Sequence, residues 1–349
     1  MSCKAGQRHH PIRIRQPCLT EDLPGCGRPA YPLDVCLKVP DLSAWRNTAS
    51  GVSGVHVFDS GLSGPDLVIV GMVHGNEYAG GHALEILRQN NPVPHTGRLT
   101  LILANLAAFD RFESNAPMAS RYLTEDLNRL WHPSRLNGSE RSSELDRARQ
   151  ILPFIERADL LLDLHSTLWP SEPVFIVPPR RRSSDFACVL ASEEQPAALV
   201  VTDLGHQGGS RLVEYSRFMA IGGTGRACLL EAGLHWQPET VEMMVKISER
   251  FLKDAMRIHF QGRGTDTKQP AEMAVVTDNV LARSADFRFV EPWVGNTCIP
   301  NAGTVIARDG HDLICTPYDK CLLIVPNLRP RQGQLAVRLA RRTAVHLNF

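Results

Sequence analysis

Short apolar runs alternate with amphipathic helical patterns from Val35 to roughly Phe260, and this alternation predicts an α/β fold. The clearest apolar run covers residues 66–73, where β-branched side chains are typical of a buried strand. A helical pattern begins at Ala83, and residues 239–259 predict a longer helix with a single apolar stripe. We interpret that stripe as core packing rather than as a surface for a cofactor.

A polar, Gly-rich segment that ends in proline, Gln261–Pro270, is the best candidate for a linker. After it, the pattern changes to short β-like runs separated by turn residues, such as Gly303–Ala307 and Cys321–Pro326. The residues before Val35 carry prolines, arginines and cysteines without periodicity. We therefore predict a loose N-terminal extension at residues 1–30, an α/β domain at residues 31–262, and a smaller β-rich domain at residues 270–349.

Polar residues follow two of the predicted buried strands. His74-Gly75-Asn76-Glu77 comes directly after the first run, and a second apolar run, residues 158–167, leads to His165. Open α/β sheets place their ligands in the crevice at this end of the strands. Two histidines and one glutamate are the ligand set of hydrolytic zinc sites. Taken singly, a His-x-x-Glu pair occurs by chance, and a histidine at a strand end more often bonds to backbone.

Two further segments supply candidates for a general base and for groups that bind an oxyanion or a carboxylate. The run Ala227–Gly233 predicts a strand carrying Glu231, which is where a general base for water would lie. The segment Arg121–Arg129 combines two arginines with Asn128, and guanidinium groups bind oxyanions and carboxylates with a planar fork. Each residue alone is more often a solvated carboxylate or a surface ion pair. The conjunction of all the segments favours a functional site.

Together these segments resemble the succinylglutamate desuccinylase/aspartoacylase family, a branch of the zinc carboxypeptidase-like hydrolases. The matching motifs are His-Gly-Asn-Glu at 74–77, Arg121 with Asp126-Leu127-Asn128-Arg129, Asp163-Leu164-His165-Ser166-Thr167, and Leu230-Glu231-Ala232-Gly233. The resemblance runs from about residue 60 to near the C-terminus. It implies an α/β fold with a zinc carboxypeptidase-like mixed sheet flanked by helices, in which the C-terminal β-rich domain covers the mouth of the active site.

The resemblance also implies roles for the motif residues. One Zn²⁺ per chain would be bound by His74, Glu77 and His165. Glu231 would take the proton from the zinc-bound water and deliver it to the leaving amine.

For the substrate, the resemblance implies that Arg121 supports the oxyanion, and that Asn128 and Arg129 bind the α-carboxylate of an acylated amino acid. Some relatives use a further arginine shortly before the catalytic glutamate, and Arg211, Arg217 and Arg226 all remain candidates. Some also use a C-terminal tyrosine, for which Tyr318 is the only candidate in that region.

The function implied is a zinc-dependent amidohydrolase that removes the acyl group from a small N-acyl amino acid. A metallocarboxypeptidase uses the same set of residues, and a non-catalytic binding protein on this fold is the third hypothesis, against which the intact set argues. The density of arginines slightly favours an acidic substrate. Trp169 and the run Val174–Val177 could instead line an apolar pocket, although that run more simply predicts the next buried strand.

Composition excludes several kinds of partner. The formal net charge of +1 creates no field for a polyanion, so we do not expect nucleic acid to bind. No apolar run approaches the roughly 20 residues of a membrane-spanning helix, and the first residues show no secretion signal. Nine cysteines without a Cys-x-x-Cys pair predict reduced thiols in a cytoplasmic protein. The sequence leaves a homo-oligomer open.

Overall fold

The computed structural model describes residues 33–192, 198–206, 208–261 and 271–343. The predicted extension at residues 1–30 and residues 262–270 of the predicted linker lie outside the described residues, so the domain boundaries stay predictions. The six described cysteines, Cys36, Cys188, Cys228, Cys298, Cys315 and Cys321, are free thiols.

Strands and helices alternate through the first part of the chain, as the apolar pattern predicts. The strands are β1 (Val55–Asp59), β2 (Asp66–Gly71), β3 (Arg98–Leu103), β4 (Leu160–Thr167), β5 (Val174–Val177), β6 (Leu199–Thr202), β7 (Arg226–Leu234), β8 (Met273–Leu281), β9 (Arg288–Phe289), β10 (Thr297–Ile299), β11 (Val305–Asp309), β12 (Asp312–Cys315), β13 (Cys321–Ile324) and β14 (Leu335–Thr343). The helices are α1 (Ala79–Gln89), α2 (Leu106–Phe109), α3 (Pro133–Leu136), α4 (Ser143–Glu156), α5 (Arg181–Ala191), α6 (Ser216–Met219) and α7 (Pro238–Gln261). Short 3-10 turns cover Ser43–Trp45, Leu127–Arg129 and Leu212–Glu214.

Eleven of the described strands form one mixed sheet in the order β1-β3-β2-β4-β7-β5-β6-β8-β14-β13-β10. Its centre is parallel, since β2 pairs with both β3 and β4, and β4 pairs with β7. β5 is antiparallel to β7, which makes the sheet mixed. This confirms the predicted α/β fold with a large mixed sheet flanked by helices.

Helices cover both faces of the parallel centre because its strands are apolar on both sides. Val68 and Val70 of β2 share a buried cluster with Ile151 and Ile155 of α4. Side chains of a strand alternate between faces, so Gly71 points away from that cluster and towards α1, where a Cβ would lie 3.2 Å from the carbonyl oxygen of Gly80. Helix α1 in turn contacts α7, which contacts α5.

The chain after residue 270 is β-rich, as predicted. β8 pairs in parallel with β6, and β14 pairs with β8 and β13, so these C-terminal strands extend the main sheet. The strands β12, β11 and β9 form a separate three-stranded sheet. β5 is a fully buried strand, which agrees with the simpler interpretation of Val174–Val177. Within the described residues, no helix has the length and apolar character needed to cross a bilayer.

Candidate active site

Three adjacent parallel strands bring most of the candidate residues to one edge of the sheet. His74 and Glu77 lie on the turn that follows β2. His165 near the end of β4 lies opposite Glu231 of β7 in the strand register. This is the crevice at the carboxyl ends of parallel strands, where open α/β sheets place their sites.

Glycine is required at position 75 by close packing. A side chain there would collide with the backbone nitrogen of Phe109 and lie 2.6 Å from the backbone oxygen of Ser120. The backbone nitrogen of Gly75 also donates to the carbonyl of Arg121 over 3.0 Å. The absence of a Cβ therefore lets the turn after β2 contact the start of the 121–129 segment, which carries the remaining candidate residues.

His74, Glu77 and His165 form one buried cluster. The Nδ1 atom of His74 lies 2.7 Å from Oε1 of Glu77, and Nδ1 of His165 lies 3.2 Å from Oε2 of the same carboxylate. One potential ligand atom from each residue lies within 4.8 Å of the other two. Two imidazoles and a carboxylate that converge in this way could hold a metal ion.

A second carboxylate lies beside each imidazole, on the side away from Glu77. Nε2 of His74 lies 3.0 Å from Oδ1 of Asp126, and Nε2 of His165 lies 3.1 Å from Oδ2 of Asp163. Metal-binding histidines have this kind of partner, which fixes the ring and makes the ligating nitrogen more basic. Both imidazoles therefore present Nδ1 to the common point.

The electrostatics of the cluster favour a positive charge. Burial by itself would raise the pKa of Glu77, but His74 and His165 hold that pKa well below its ordinary value. Burial would likewise lower the pKa of His165, but Asp163 and Glu77 raise it well above its ordinary value. The pocket thus contains an ionised carboxylate and stabilises cationic charge, which is the environment that a metal ion requires.

The backbone of Ser166, whose hydroxyl contacts a buried imidazole, supports Glu77 from behind. The backbone nitrogen of Ser166 donates to Oε2 of Glu77 over 3.1 Å, and Oγ of Ser166 lies 2.7 Å from Nδ1 of His235. Burial lowers the pKa of His235 to about 4, so this imidazole is neutral at neutral pH. These contacts help to fix the orientation of the carboxylate.

Glu231 lies beside the cluster and keeps a free oxygen. Its Oε2 atom is buried and has no hydrogen-bond partner among the described residues. Burial raises the pKa of Glu231 to about 7; His165 opposes the rise and Glu77 adds to it. A carboxyl group with a pKa near 7 is suited to accept and return a proton at neutral pH.

The segment from residue 121 to residue 129 brings Arg121 and Asn128 to the same place. Nη1 of Arg121 donates to Oε1 of Glu77 over 3.3 Å. The side-chain oxygen of Asn128 accepts from the backbone nitrogen of Leu212 over 2.8 Å, and its Nδ2 lies 3.5 Å from Nε2 of His165. Asn128 is therefore fixed through its oxygen, and its amide nitrogen lies next to the ring of His165.

Arg129 completes this segment. Its Nη1 donates to the backbone oxygen of Asn128 over 2.7 Å, and its Nη2 lies 3.2 Å from Nε2 of His206. Burial lowers the pKa of Arg129 to about 10, which still leaves it charged at neutral pH. Burial also lowers the pKa of His206 to about 3, with Arg129 as the next cause, so this imidazole is a neutral acceptor.

One buried carboxylate, that of Glu144 in the first turn of α4, holds the middle of the segment. Oε1 accepts from the backbone nitrogen of Leu123 over 2.6 Å. Oε2 accepts from those of Thr124 and Glu125 over 3.0 and 3.3 Å. The side chain of Asn105 donates to Oε1 over 3.3 Å. A negative charge at a helix N-terminus is also favoured by the helix dipole.

Of the three open arginine candidates, only Arg211 lies near the site. It is buried and donates to Asp203, while its interactions with Arg129 and His206 depress the pKa of each. Arg226 begins β7, opposite the first residue of β4. Arg217 donates to the backbone oxygen of Ala158, just before β4. Arg217 and Arg226 therefore lie at the end of β4 and β7 that is opposite to the candidate site.

Tyr318 forms a hydrogen bond and a cation–π contact with other C-terminal residues. Its hydroxyl lies 2.5 Å from Oγ1 of Thr277, and the guanidinium of Arg341 lies 3.9 Å above its ring. These contacts give it a packing role in the C-terminal region. They provide no link to the candidate site.

The sequence analysis assigned no role to several residues near the site: Asp126, Glu144, Asp163, Asp203, His206, His235 and Arg338. Two of them had a signal. Asp126 and Asp163 lie within the matching motifs, and Asp163 is also the one carboxylate of the apolar strand β4, where a buried charge needs a specific partner. The others lie in loops, in α4 or in β14, where Arg338 is one of three arginines, and no pattern in the sequence distinguishes them from solvated positions.

Comparison with known proteins identifies the family. A family model described as Succinylglutamate desuccinylase/Aspartoacylase catalytic domain matches residues 63–255, which is more than half of the chain. The chain belongs to this family. Its members are deacylating hydrolases, so the predictions of the family and of a hydrolase class are confirmed at that level.

Solved structures of the family share the fold. Succinylglutamate desuccinylase from Vibrio parahaemolyticus is 18% identical, with a TM-score of 0.59 over 83% of this chain and 86% of that chain. A succinylglutamate desuccinylase/aspartoacylase from Rhodobacter sphaeroides is 16% identical, with a TM-score of 0.59 over 83% and 89%. The product-bound ectoine utilization protein EutE (DoeB) from Ruegeria pomeroyi is 18% identical, with a TM-score of 0.56 over 82% and 88%. No curated protein matches the sequence.

Proposed function

We propose that the protein is a zinc-dependent amidohydrolase that removes the acyl group from a small N-acyl amino acid. The observation that carries this proposal is the buried cluster of His74, Glu77 and His165 with Glu231 on the adjacent strand. The ligand set suits hydrolytic zinc, because three protein ligands leave a position for water or substrate. Membership in a family of deacylases supports the same reaction class.

When bound, zinc polarises the scissile carbonyl and makes water more acidic. Glu231 takes a proton from the attacking water on Oε2, the oxygen without a partner in the described structure, and returns it to the leaving amine nitrogen. Its raised pKa suits both transfers. Arg121, which already donates towards the cluster, stabilises the negative charge that develops on the carbonyl oxygen.

Arg129 and Asn128 bind the α-carboxylate of the amino acid. Arg129 is largely buried and remains charged, and a planar guanidinium suits a carboxylate. Asn128 binds the carboxylate only through its amide nitrogen, because its side-chain oxygen already accepts a hydrogen bond from the backbone nitrogen of Leu212. We also propose that the C-terminal β-rich region narrows the mouth. Arg338 of this region donates to Asp203, which directly follows β6. A narrowed mouth would admit small acyl amino acids more easily than peptides, and this disfavours a carboxypeptidase.

Metal analysis combined with a hydrolysis panel tests this proposal. Protein purified without chelator should contain one zinc per chain, and His165→Ala should lose most of it, whereas His311→Ala, a change of an exposed histidine, should not. N-acetyl, N-succinyl and N-formyl amino acids should be cleaved by the metal-loaded protein. Full zinc retention in His165→Ala would contradict the ligand assignment, and cleavage of C-terminal peptide bonds alone would favour the carboxypeptidase.

A further inference from the structure

The two residues directly after β7, His235 and Trp236, contact both elements that carry the proposed metal ligands. In the sheet, β4 lies between β2 and β7, so β7 is not a neighbour of the strand that leads to the first ligands. Even so, Nε1 of Trp236 donates to the backbone oxygen of Asn76, in the turn after β2, over 2.7 Å. The side chain of His235 contacts Ser166 of β4. The end of the strand that carries Glu231 is therefore linked to both ligand-bearing elements.

The strand pairing between β4 and β7 is irregular at Ser166. The register shifts between His165 and Thr167, so that this one residue of β4 faces two residues of β7. A bulge of this kind takes the local backbone out of the regular ladder. The backbone nitrogen of Ser166 donates instead to Oε2 of Glu77 over 3.1 Å. Regular strand pairing therefore does not fix the donor that holds Glu77.

His235 fixes this bulged position at two points. Its Nδ1 atom lies 2.7 Å from Oγ of Ser166, and its backbone nitrogen donates to the backbone oxygen of Thr167 over 2.8 Å. Ser166 and His235 are both buried, so water competes little for these hydrogen bonds. The two contacts hold the peptide after Ser166 from both ends. Its backbone nitrogen therefore stays directed at Glu77.

Trp236 holds the turn after β2 from a backbone conformation that is itself unfavourable. Its φ angle is 57°, in the left-handed region that a bulky residue rarely adopts. Its backbone oxygen accepts from the backbone nitrogen of Leu37 over 2.9 Å, and the oxygen of Leu37 accepts from the hydroxyl of Tyr78 over 2.9 Å. Asn76 and Tyr78 flank Glu77, so the contacts of Trp236 lie on both sides of this ligand. Strain that surrounding contacts maintain is typical of functional positions.

We propose that His235 and Trp236 are positioning residues, which hold Glu77 in place for the metal from the strand that carries the base. The inference rests on the proposed function, because it takes Glu77 as a zinc ligand, and deepens it by naming the residues that join ligand and base. His235 follows Glu231 by four residues, so a shift of this loop would move the ligand relative to the base. A ligand that is already oriented binds metal more tightly, because less order has to be imposed on binding.

Zinc affinity, measured by competition with a chelator, tests the indole contact. Trp236→Phe keeps an aromatic ring but removes the donor to Asn76, and we expect it to weaken zinc binding by about tenfold or more. Trp293→Phe removes a bond of the same kind, from Nε1 to the backbone oxygen of Ile306 in β11 over 3.0 Å, and should leave zinc affinity unchanged. Both variants should unfold at a lower temperature. Only the zinc affinity therefore separates a positioning role from a structural one.

The pair of Ser166 and His235 supplies a second test, which does not depend on the folding of Trp236→Phe. Ser166→Ala and His235→Ala should each weaken zinc binding by about tenfold, and the double variant by little more than either, because both changes remove the same contact. His235→Asn places an amide near the position of Nδ1 and should recover part of the affinity. Ser192→Ala removes a buried hydroxyl at the end of α5 and should not change it. Losses that multiply in the double variant would contradict the role of this pair.

Cobalt in place of zinc reports the arrangement of the ligands. The visible absorption of bound Co²⁺ depends on its coordination geometry, so cobalt-saturated Trp236→Phe should differ from the wild-type protein, whereas Trp293→Phe should not. In the zinc-saturated protein, Trp236→Phe should lower kcat by about 10–100-fold and change KM little, because the proposed substrate-binding residues lie on another segment.

The metal measurements need no substrate, so they separate this inference from the proposed function. Wild-type zinc affinity in folded Trp236→Phe or in folded His235→Ala would overturn the role of that residue. Absence of hydrolysis by a wild-type protein that binds zinc would refute the deacylase function. Weakened zinc binding in the variants would then still support the positioning role.

Discussion

Replacing Glu144 by glutamine should reduce catalysis from a distance, without removing any residue that touches the substrate. The carboxylate of Glu144 accepts hydrogen bonds from three consecutive backbone nitrogens, those of residues 123–125. These residues connect Arg121 to Asn128 and Arg129, so Glu144 fixes the shape of the segment that carries them. Glutamine has almost the same size but exchanges one acceptor oxygen for a donor.

The size of the effect follows from those hydrogen bonds. Whichever way the amide is oriented, at least one backbone donor of these partly buried hydrogen bonds loses its charged acceptor, which costs about 1–3 kcal/mol. Part of that cost can be relieved only by movement of the segment. A displacement of about 1 Å in a catalytic group can lower the rate by about 100-fold, so we expect kcat/KM to fall by about 10–100-fold.

Thermal unfolding and steady-state kinetics on the zinc-loaded protein test this together. Glu144→Gln should lower both the midpoint of unfolding and kcat/KM, measured well below that midpoint. Glu140→Gln makes the same chemical change at a side chain that is 66% exposed and should alter neither appreciably. A less stable Glu144→Gln protein with wild-type kcat/KM would show that Glu144 supports the fold alone, and an equally stable protein would refute the energetic argument.

Three other predictions concern residues within the site. Glu231→Gln should keep zinc and the fold while kcat falls by about 100-fold or more, and near-normal turnover by the zinc-loaded variant would refute its role as the base. Arg121→Ala should act mainly on kcat, by about 100-fold or more, because an oxyanion donor acts in the transition state. Arg129→Ala should mainly raise KM, because a carboxylate-binding residue stabilises substrate and transition state alike. The opposite pattern would mean that the two arginines have exchanged roles.

The apolar runs predicted the central buried strands of the α/β fold because a long apolar run needs to be covered on both faces. β2, β4 and β7 are each continuous apolar segments, and the crevice at their carboxyl ends is where polar residues of such strands meet. The sequence therefore predicted that His74, Glu77 and His165 converge, and the structure brings them into one cluster. Their role as zinc ligands remains a proposal, as does the cytoplasmic location.

The supporting contacts could not be predicted because they join distant parts of the chain. Nothing local links Asp203 to Arg338, since their contact depends on β8 lying between β6 and β14 in the sheet. Likewise, the choice of Arg211 over Arg217 depends on which end of β4 each one faces. Strand order and long-range pairing are properties of the whole fold, and hydrophobic periodicity does not predict them.

During translation, the parts of the site emerge in a fixed order. The proposed ligands lie on β2 and β4, which are neighbours in the sheet, so all three have been synthesised once the chain reaches residue 167. Glu231 follows on β7, and Arg338 arrives only with β14, the last described strand. Because chains fold from the N-terminus as they are made, the proposed metal ligands can come together before the proposed base has been synthesised. The contact between Arg338 and Asp203 therefore forms only when β14 pairs with β8, after every other strand of the sheet has been synthesised.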